Sequence, residues 1–147
     1  MQIISTAFDD NALIPPQYTC DGKGYNPPIT FHEIPEETVS LILFMEDPDA
    51  PGNVFTHWLL YNMPKEIVQI EENQTPSHTK EGMNSIGTIG YVAPCPPSNT
   101  HRYIFTLFAL NTFLDLPNGS SKEQIEESMK NHIITTAKLT GIYSKNK

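Results

Sequence analysis

Three near-continuous apolar runs, residues 39–45, 55–63 and 103–110, constrain this chain more than any other feature. The first stops at Asp47-Pro48 and the second at Pro64. Short apolar runs bounded by turn residues are the pattern of strands buried on both faces. No helical period separates them, which argues for an antiparallel sheet or sandwich rather than a doubly wound fold. Thirteen dispersed prolines fit that picture as turn and strand-edge residues. Residues 2–8 and 29–31 read as further strands, 15–28 as a long loop, and 65–84 as a polar surface connection.

One helix is expected near the C-terminus. Ser120-Ser121-Lys122-Glu123 has the capping-box pattern. Ile125, Met129, Ile133 and Ala137 follow at i, i+4 spacing as one apolar stripe. Gly141 stands where a C′ residue would end such a helix. The 147 residues suit a single domain, 1–147, large enough to bury a core without staples.

Charge narrows the function. Nine basic against seventeen acidic residues give a net charge of −8, a poor match for a nucleic-acid backbone. No apolar run approaches the roughly 20 residues of a membrane helix. The N-terminus has no export signal, and the two cysteines, Cys20 and Cys95, read as reduced thiols, so a cytoplasmic location is expected. A homodimer is compatible with the apolar strands, although no sequence feature specifies one.

Polar, ionisable residues cluster where the apolar runs begin or end. In Asp47-Pro48-Asp49-Ala50-Pro51 two prolines fix φ and hold the carboxylates in set directions. His57 opens the second run beside Trp58. Cys95-Pro96-Pro97 forms a stiff wall before His101-Arg102-Tyr103. Alternation puts His101 and Tyr103 on one face and turns Arg102 to the other, toward a carboxylate partner. A carboxylate beside an imidazole favours imidazolium, and two such histidines with a tyrosine hydroxyl make an anion pocket. Two histidines and a carboxylate also suit iron or zinc, and the residues alone do not choose. The nucleophile elbow, the P-loop and the dinucleotide-binding glycine pattern are all absent. Cys95 reads as a small thiol in a stiffened turn rather than a nucleophile.

Taken in this order, Asp47-Pro48-Asp49-Ala50-Pro51, His57-Trp58 leading into Tyr61-Asn62-Met63-Pro64, and Pro96-Pro97 with His101-Arg102-Tyr103 resemble the phosphatidylethanolamine-binding protein family, also called Raf kinase inhibitor-like proteins. Tyr18-Thr19-Cys20-Asp21-Gly22, Asn26-Pro27-Pro28 and Gly90-Tyr91 resemble its short bacterial and archaeal branch, and residues 129–143, read as helix, fit it too. The resemblance implies a mostly β, sandwich-like fold: a large central antiparallel sheet, a smaller sheet and a peripheral C-terminal helix. It implies a pocket for phosphate, acetate or a phosphorylethanolamine head group, lined by Asp47, His57, Pro96, Pro97, His101 and Tyr103. Asp49, Pro51, Arg102 and Cys95 would support that pocket, and Ala50–Pro51 would be cis. Val92 and Ala93 stand where the branch usually has glycines, which restricts the pocket rim.

The leading expectation is therefore a binding or regulatory module for a small phosphate-type anion, with no cofactor. Its ligand would be a phospho-metabolite, a phospholipid head group or a phosphorylated protein side chain. The alternatives are an acid–base enzyme acting on a phospho-ester or acyl substrate, which lacks an activated nucleophile, and a His/Asp metal site.

Overall fold

The structure is a computed structural model that describes residues 1–145; the last two residues of the expected 1–147 domain lie outside the described residues. Strands β1 (Gln2–Ile4), β2 (Ala12–Leu13), β3 (Ile29–His32), β4 (Ser40–Asp47), β5 (Phe55–Pro64), β6 (Gln69–Ile70), β7 (Lys80–Glu81), β8 (His101–Leu110) and β9 (Ile133–Tyr143) form two sheets. Helix α1 (Lys122–Met129) lies between β8 and β9 in the chain. The large sheet has the order β2-β9-β8-β4-β5-β7, and the small sheet the order β1-β3-β6. All pairings are antiparallel except the short parallel contact of β2 with β9.

β4 is apolar from Leu41 to Met45 because it sits inside the large sheet, between β5 and β8. Its residues alternate between two cores, as a pleated strand requires. Leu41, Leu43 and Met45 join Ile3, Ile29, Phe31, Trp58 and Phe105 on the side of the small sheet. Ile42 and Phe44 face the other way and pack with Leu59, Tyr61, Leu114, Ile125 and Met129 around the helix. The mostly β architecture with two sheets and a peripheral helix is as expected.

The register breaks between Leu41 and Leu43, opposite Asn62 in β5. Asn62 takes a positive φ of 54°, a conformation asparagine tolerates better than most residues. Its buried amide donates to the Leu114 carbonyl (2.8 Å) and accepts from the Leu114 N–H (2.7 Å). That exchange anchors the loop leading to α1 across the sheet.

The helix is shorter than expected. Ser121, not Ser120, is the N-cap, with Gln124 completing the reciprocal capping box. The helix ends at Met129, and Asn131 follows with φ 66°. Residues 133–143, expected to extend the helix to Gly141, form strand β9 instead. The β-branched residues Ile133, Ile134, Thr135 and Thr136 favour a pleated strand, and β8 offers a partner along almost their whole length. Gly141 is thus a strand residue opposite Tyr103, pressed under Ile14 and Phe8 where no side chain has room. The polar connection 65–84 contributes the short strands β6 and β7.

Candidate functional site

Three neighbouring strands deliver the ionisable residues to one end of the large sheet. Asp47 ends β4, His57 lies near the start of β5, and His101 and Tyr103 open β8. β4 lies between the other two, so these ends are adjacent in space. The loop carrying Val92 to Pro97 closes over them. The result is a cavity of about 310 Å³ lined by Asp47, Ala50, Pro51, Phe55, His57, Ile86, Val92, Ala93, Cys95, Pro96, Pro97, His101 and Tyr103. All six residues expected to line a pocket are present, with Pro51 and Cys95 of the expected supports.

Asp47 is buried and uses both oxygens. Its Oδ1 accepts from the Asp49 N–H (2.7 Å), closing an Asx turn, and its Oδ2 accepts from His101 Nδ1 (2.7 Å). His101 is therefore held by a carboxylate. His57 is not: its Nδ1–H donates to the Val92 carbonyl (2.7 Å), while the Val92 N–H donates to the His57 carbonyl (2.9 Å). A carbonyl has no proton to give, so Nδ1 of His57 carries the hydrogen.

This corrects one expectation. Burial pushes His57 below the ordinary imidazole value, and nearby His101 adds to that effect. The Val92 hydrogen bond and the Asp47 charge oppose it without overcoming it. His57 is accordingly a neutral imidazole near neutral pH. Its ring packs between Phe55 (centroids 4.6 Å apart) and Tyr103 (5.2 Å, edge-on).

Tyr103 is fully buried, and its hydroxyl has no hydrogen-bond partner among the described residues. Burial, followed by the charges of Asp47 and Asp49, pushes the phenol well above its ordinary value. It stays protonated and is a neutral donor.

Asp49 and Arg102 lie outside the cavity. Asp49 Oδ2 accepts from the Arg102 backbone N–H (2.9 Å) and from Nε (3.0 Å), and Oδ1 accepts from Nη2 (2.9 Å). These bonds pull the Asp49 carboxyl down to about 2 and tie the 47–51 turn to β8. Arg102 thus faces away from Tyr103, as alternation requires. No cis peptide bond occurs among the described residues, so Ala50–Pro51 is trans, contrary to expectation. Trans is the form an X–Pro bond ordinarily prefers, and the Asx bond of Asp47 already turns the chain.

The cysteines are also corrected. Cys20 and Cys95 form a disulfide across 75 residues, with their Cα atoms 5.4 Å apart. The Cys20 N–H donates to the Pro94 carbonyl (3.0 Å), and the Tyr91 hydroxyl donates to the Tyr18 carbonyl (2.9 Å). The 15–28 loop is thereby clamped to the proline wall of the cavity. The expectation of a cytoplasmic location rested partly on reduced thiols, and the disulfide removes that support. Among the described residues no helix is long and apolar enough to cross a membrane.

Sequence reasoning missed Phe55 and Ile86. Ile86 is 60% exposed at the cavity rim. Its loop is shaped by buried Asn84, whose Oδ1 accepts from the Ile86 N–H (3.2 Å) and the Thr88 N–H (3.1 Å). The Asn84-Ser85-Ile86-Gly87-Thr88 run carries the Asx and glycine signals of such a turn, but nothing local says what it covers. Among the described residues no three His, Cys, Asp or Glu side chains are grouped as a metal ion requires.

The family model described as phosphatidylethanolamine-binding protein matches residues 4–144. A UPF0098 protein of Methanothermobacter thermautotrophicus is 45% identical over 150 residues, covering 99% of each chain. One from Chlamydia trachomatis is 41% identical over 99% of this chain and 100% of its own. Among solved structures, a putative phosphatidylethanolamine-binding protein homologue from Chlamydia trachomatis superposes with a TM-score of 0.95 at 40% identity, covering 99% of this chain and 97% of that one. Escherichia coli YbcL, described as a member of the mammalian family, gives a TM-score of 0.91 at 25% identity over 99% and 98%. With its fold and nearly its whole length matched, this chain belongs to the phosphatidylethanolamine-binding protein family.

Proposed function

We propose that the cavity binds a small phosphate-type anion and that the chain acts as a binding module, not as an enzyme. The observation that carries this reading is the Tyr103 hydroxyl. It is buried, protonated and unpartnered. An unpaired buried donor costs about 1–3 kcal/mol, and an acceptor oxygen from a ligand would remove that cost. His101, oriented by Asp47, lines the same cavity with its Nε2 unbonded to protein among the described residues. Pro96 and Pro97 give a stiff wall without N–H donors of their own. A phosphorylated metabolite, a phosphorylated side chain and a lipid head group all present suitable oxygens.

An acid–base enzyme would draw on the same Asp47–His101 pair, which resembles the base and orienting carboxylate of many hydrolases. The cavity lining has no serine, threonine or lysine, and Cys95 is held in a disulfide. Only water remains as a nucleophile, so binding is the reading the lining favours.

The test is an NMR titration of the metal-stripped protein with phosphate and then phosphorylethanolamine, following the imidazole signals. Saturable shifts at His57 and His101, with His32, His78 and His132 silent, are expected. No shift at either concentration range, or a response only to an added divalent metal, rejects the anion reading.

A further inference from the structure

The hydrogen-bond roles inside the cavity are unequal. His101 donates through Nδ1 to Asp47, and His57 donates through Nδ1 to Val92. Asp47 is the only carboxylate lining the cavity, and its two oxygens are taken by His101 and the Asp49 amide. A proton on His57 Nε2 would bury a cation with no carboxylate left to hold it. The groups around the His57 ring give it no other relief. Phe55 lies on its own strand, Tyr103 and His101 come from β8, Asp47 from β4, and Val92 offers a carbonyl already in use. His57 Nε2 therefore carries a bare lone pair, and it has no partner among the described residues.

A bare lone pair repels an unprotonated anion oxygen and attracts an acidic O–H. Tyr103, in contrast, has an O–H free to donate. We infer that the cavity selects a ligand that brings its own proton: a phosphomonoester held as its monoanion, with P–OH donating to His57 Nε2 and a second oxygen accepting from the Tyr103 hydroxyl. This deepens, and rests on, the anion-binding reading. It also separates two ligand sources that charge alone does not. Free phosphate and phosphomonoesters can carry a P–OH. The phosphodiester of an intact phospholipid head group has no such proton, and neither has sulfate at neutral pH. A buried site that expects a donor rejects an analogue lacking it, because its own polar atom is then left unpaired.

The experiment is calorimetric titration of the intact, oxidised protein at constant ionic strength near pH 6.5. The probes are inorganic phosphate, phosphorylethanolamine, glycerophosphorylethanolamine and sodium sulfate. The two ligands able to carry P–OH should bind, with the diester and sulfate weaker by about 10-fold or more. Sulfate or the diester binding within about threefold of the monoester overturns the inference and leaves anion binding standing. Binding by none of the four overturns the anion reading and this inference with it. A second measurement needs no ligand: 15N imidazole spectra should give His57 as the neutral Nδ1–H tautomer. An Nε2–H tautomer or an imidazolium at that pH overturns the inference directly.

Discussion

His101 and Asp47 meet across neighbouring strands at 2.7 Å, Nδ1 to Oδ2, with both side chains buried. The pairing fixes the imidazole ring and directs which nitrogen is left for a ligand. Asp47→Asn isolates that effect. The amide can still accept from the Asp49 N–H through its oxygen, which turns its NH2 toward His101. His101 Nδ1 must then become the acceptor, so the ring keeps one proton, on Nε2, and loses the carboxylate that would hold it as an imidazolium against a bound anion. The expected results are an Nε2–H tautomer in 15N spectra and a phosphate affinity lower by about 10-fold, the scale of one charge-assisted hydrogen bond. A folded variant with an unchanged dissociation constant removes Asp47 from the site.

Stability should depend on pH through His57. Its folded-state pKa lies below the unfolded value of 6.5, chiefly because of burial. The unfolded chain therefore binds more protons, and stability falls as pH drops below about 6.5. One proton limits this slope to about 1.4 kcal/mol per pH unit. Asp49 acts in a separate window: its carboxyl, held at about 2 by Arg102, loses its contribution as pH falls from 3.8 through 2. That contribution is small because the pair is exposed. Urea unfolding between pH 7 and 5 should show the first slope in the wild type and a shallower one in His57→Phe. Equal slopes in both would assign the dependence to another group.

The sequence is legible where local pattern and tertiary environment agree. The runs around Leu43, Leu59 and Phe105 read as central strands because both faces of each are buried, which needs no knowledge of partners. Asp47, His57, His101 and Tyr103 were readable as candidates because polar groups at the ends of apolar strands are conspicuous. Residues 133–143 were misread because the Ile125, Met129, Ile133, Ala137 spacing satisfies a helical period while Ile133 to Thr136 prefer a strand. The decision belonged to Asn131 and to the open edge of β8. The neutral state of His57 follows from its burial in the fold, and its tautomer from Val92, whose carbonyl reaches it across 35 positions. Nothing near Cys20 points to Cys95, because a spacing of 75 residues carries no geometric signal.

Gly141 gives a packing prediction. It lies opposite Tyr103, and a Cβ there would fall within 2.9 Å of Phe8 Cε2 and closer still to Ile14. Ile14 and Phe8 are both buried, so neither can swing into solvent. Gly141→Ala should cost about 1–3 kcal/mol in chemical denaturation, the usual range for overpacking a filled core. Because Tyr103 is the cross-strand neighbour, its ring resonances should move as well. Wild-type stability in the variant would mean that β2 yields more easily than its packing implies.

The disulfide makes the last prediction. Cys20 and Cys95 close a loop of 75 residues, and chain-entropy arguments assign about 4 kcal/mol to such a closure. Both cysteines are exposed, so a small dithiol can reach them without unfolding the chain. Reduction should release two titratable thiols and lower the urea midpoint. The large sheet should persist, because none of its strands contains either cysteine. The local effect should centre on the proline wall. With the Sγ–Sγ bond broken, the 15–28 loop is still held by the Cys20 N–H to Pro94 and Tyr91 hydroxyl to Tyr18 bonds. Those two contacts are neutral hydrogen bonds of about 1 kcal/mol each and cannot replace a covalent closure. Hydrogen exchange should therefore accelerate at the Cys20 amide, bonded to Pro94, on reduction while β4 and β8 stay protected. Cys20→Ser should reproduce the reduced pattern in the presence or absence of dithiol. If the oxidised and reduced proteins unfold at the same urea concentration, the hydrogen bonds and packing alone hold the wall, and the disulfide contributes little to it.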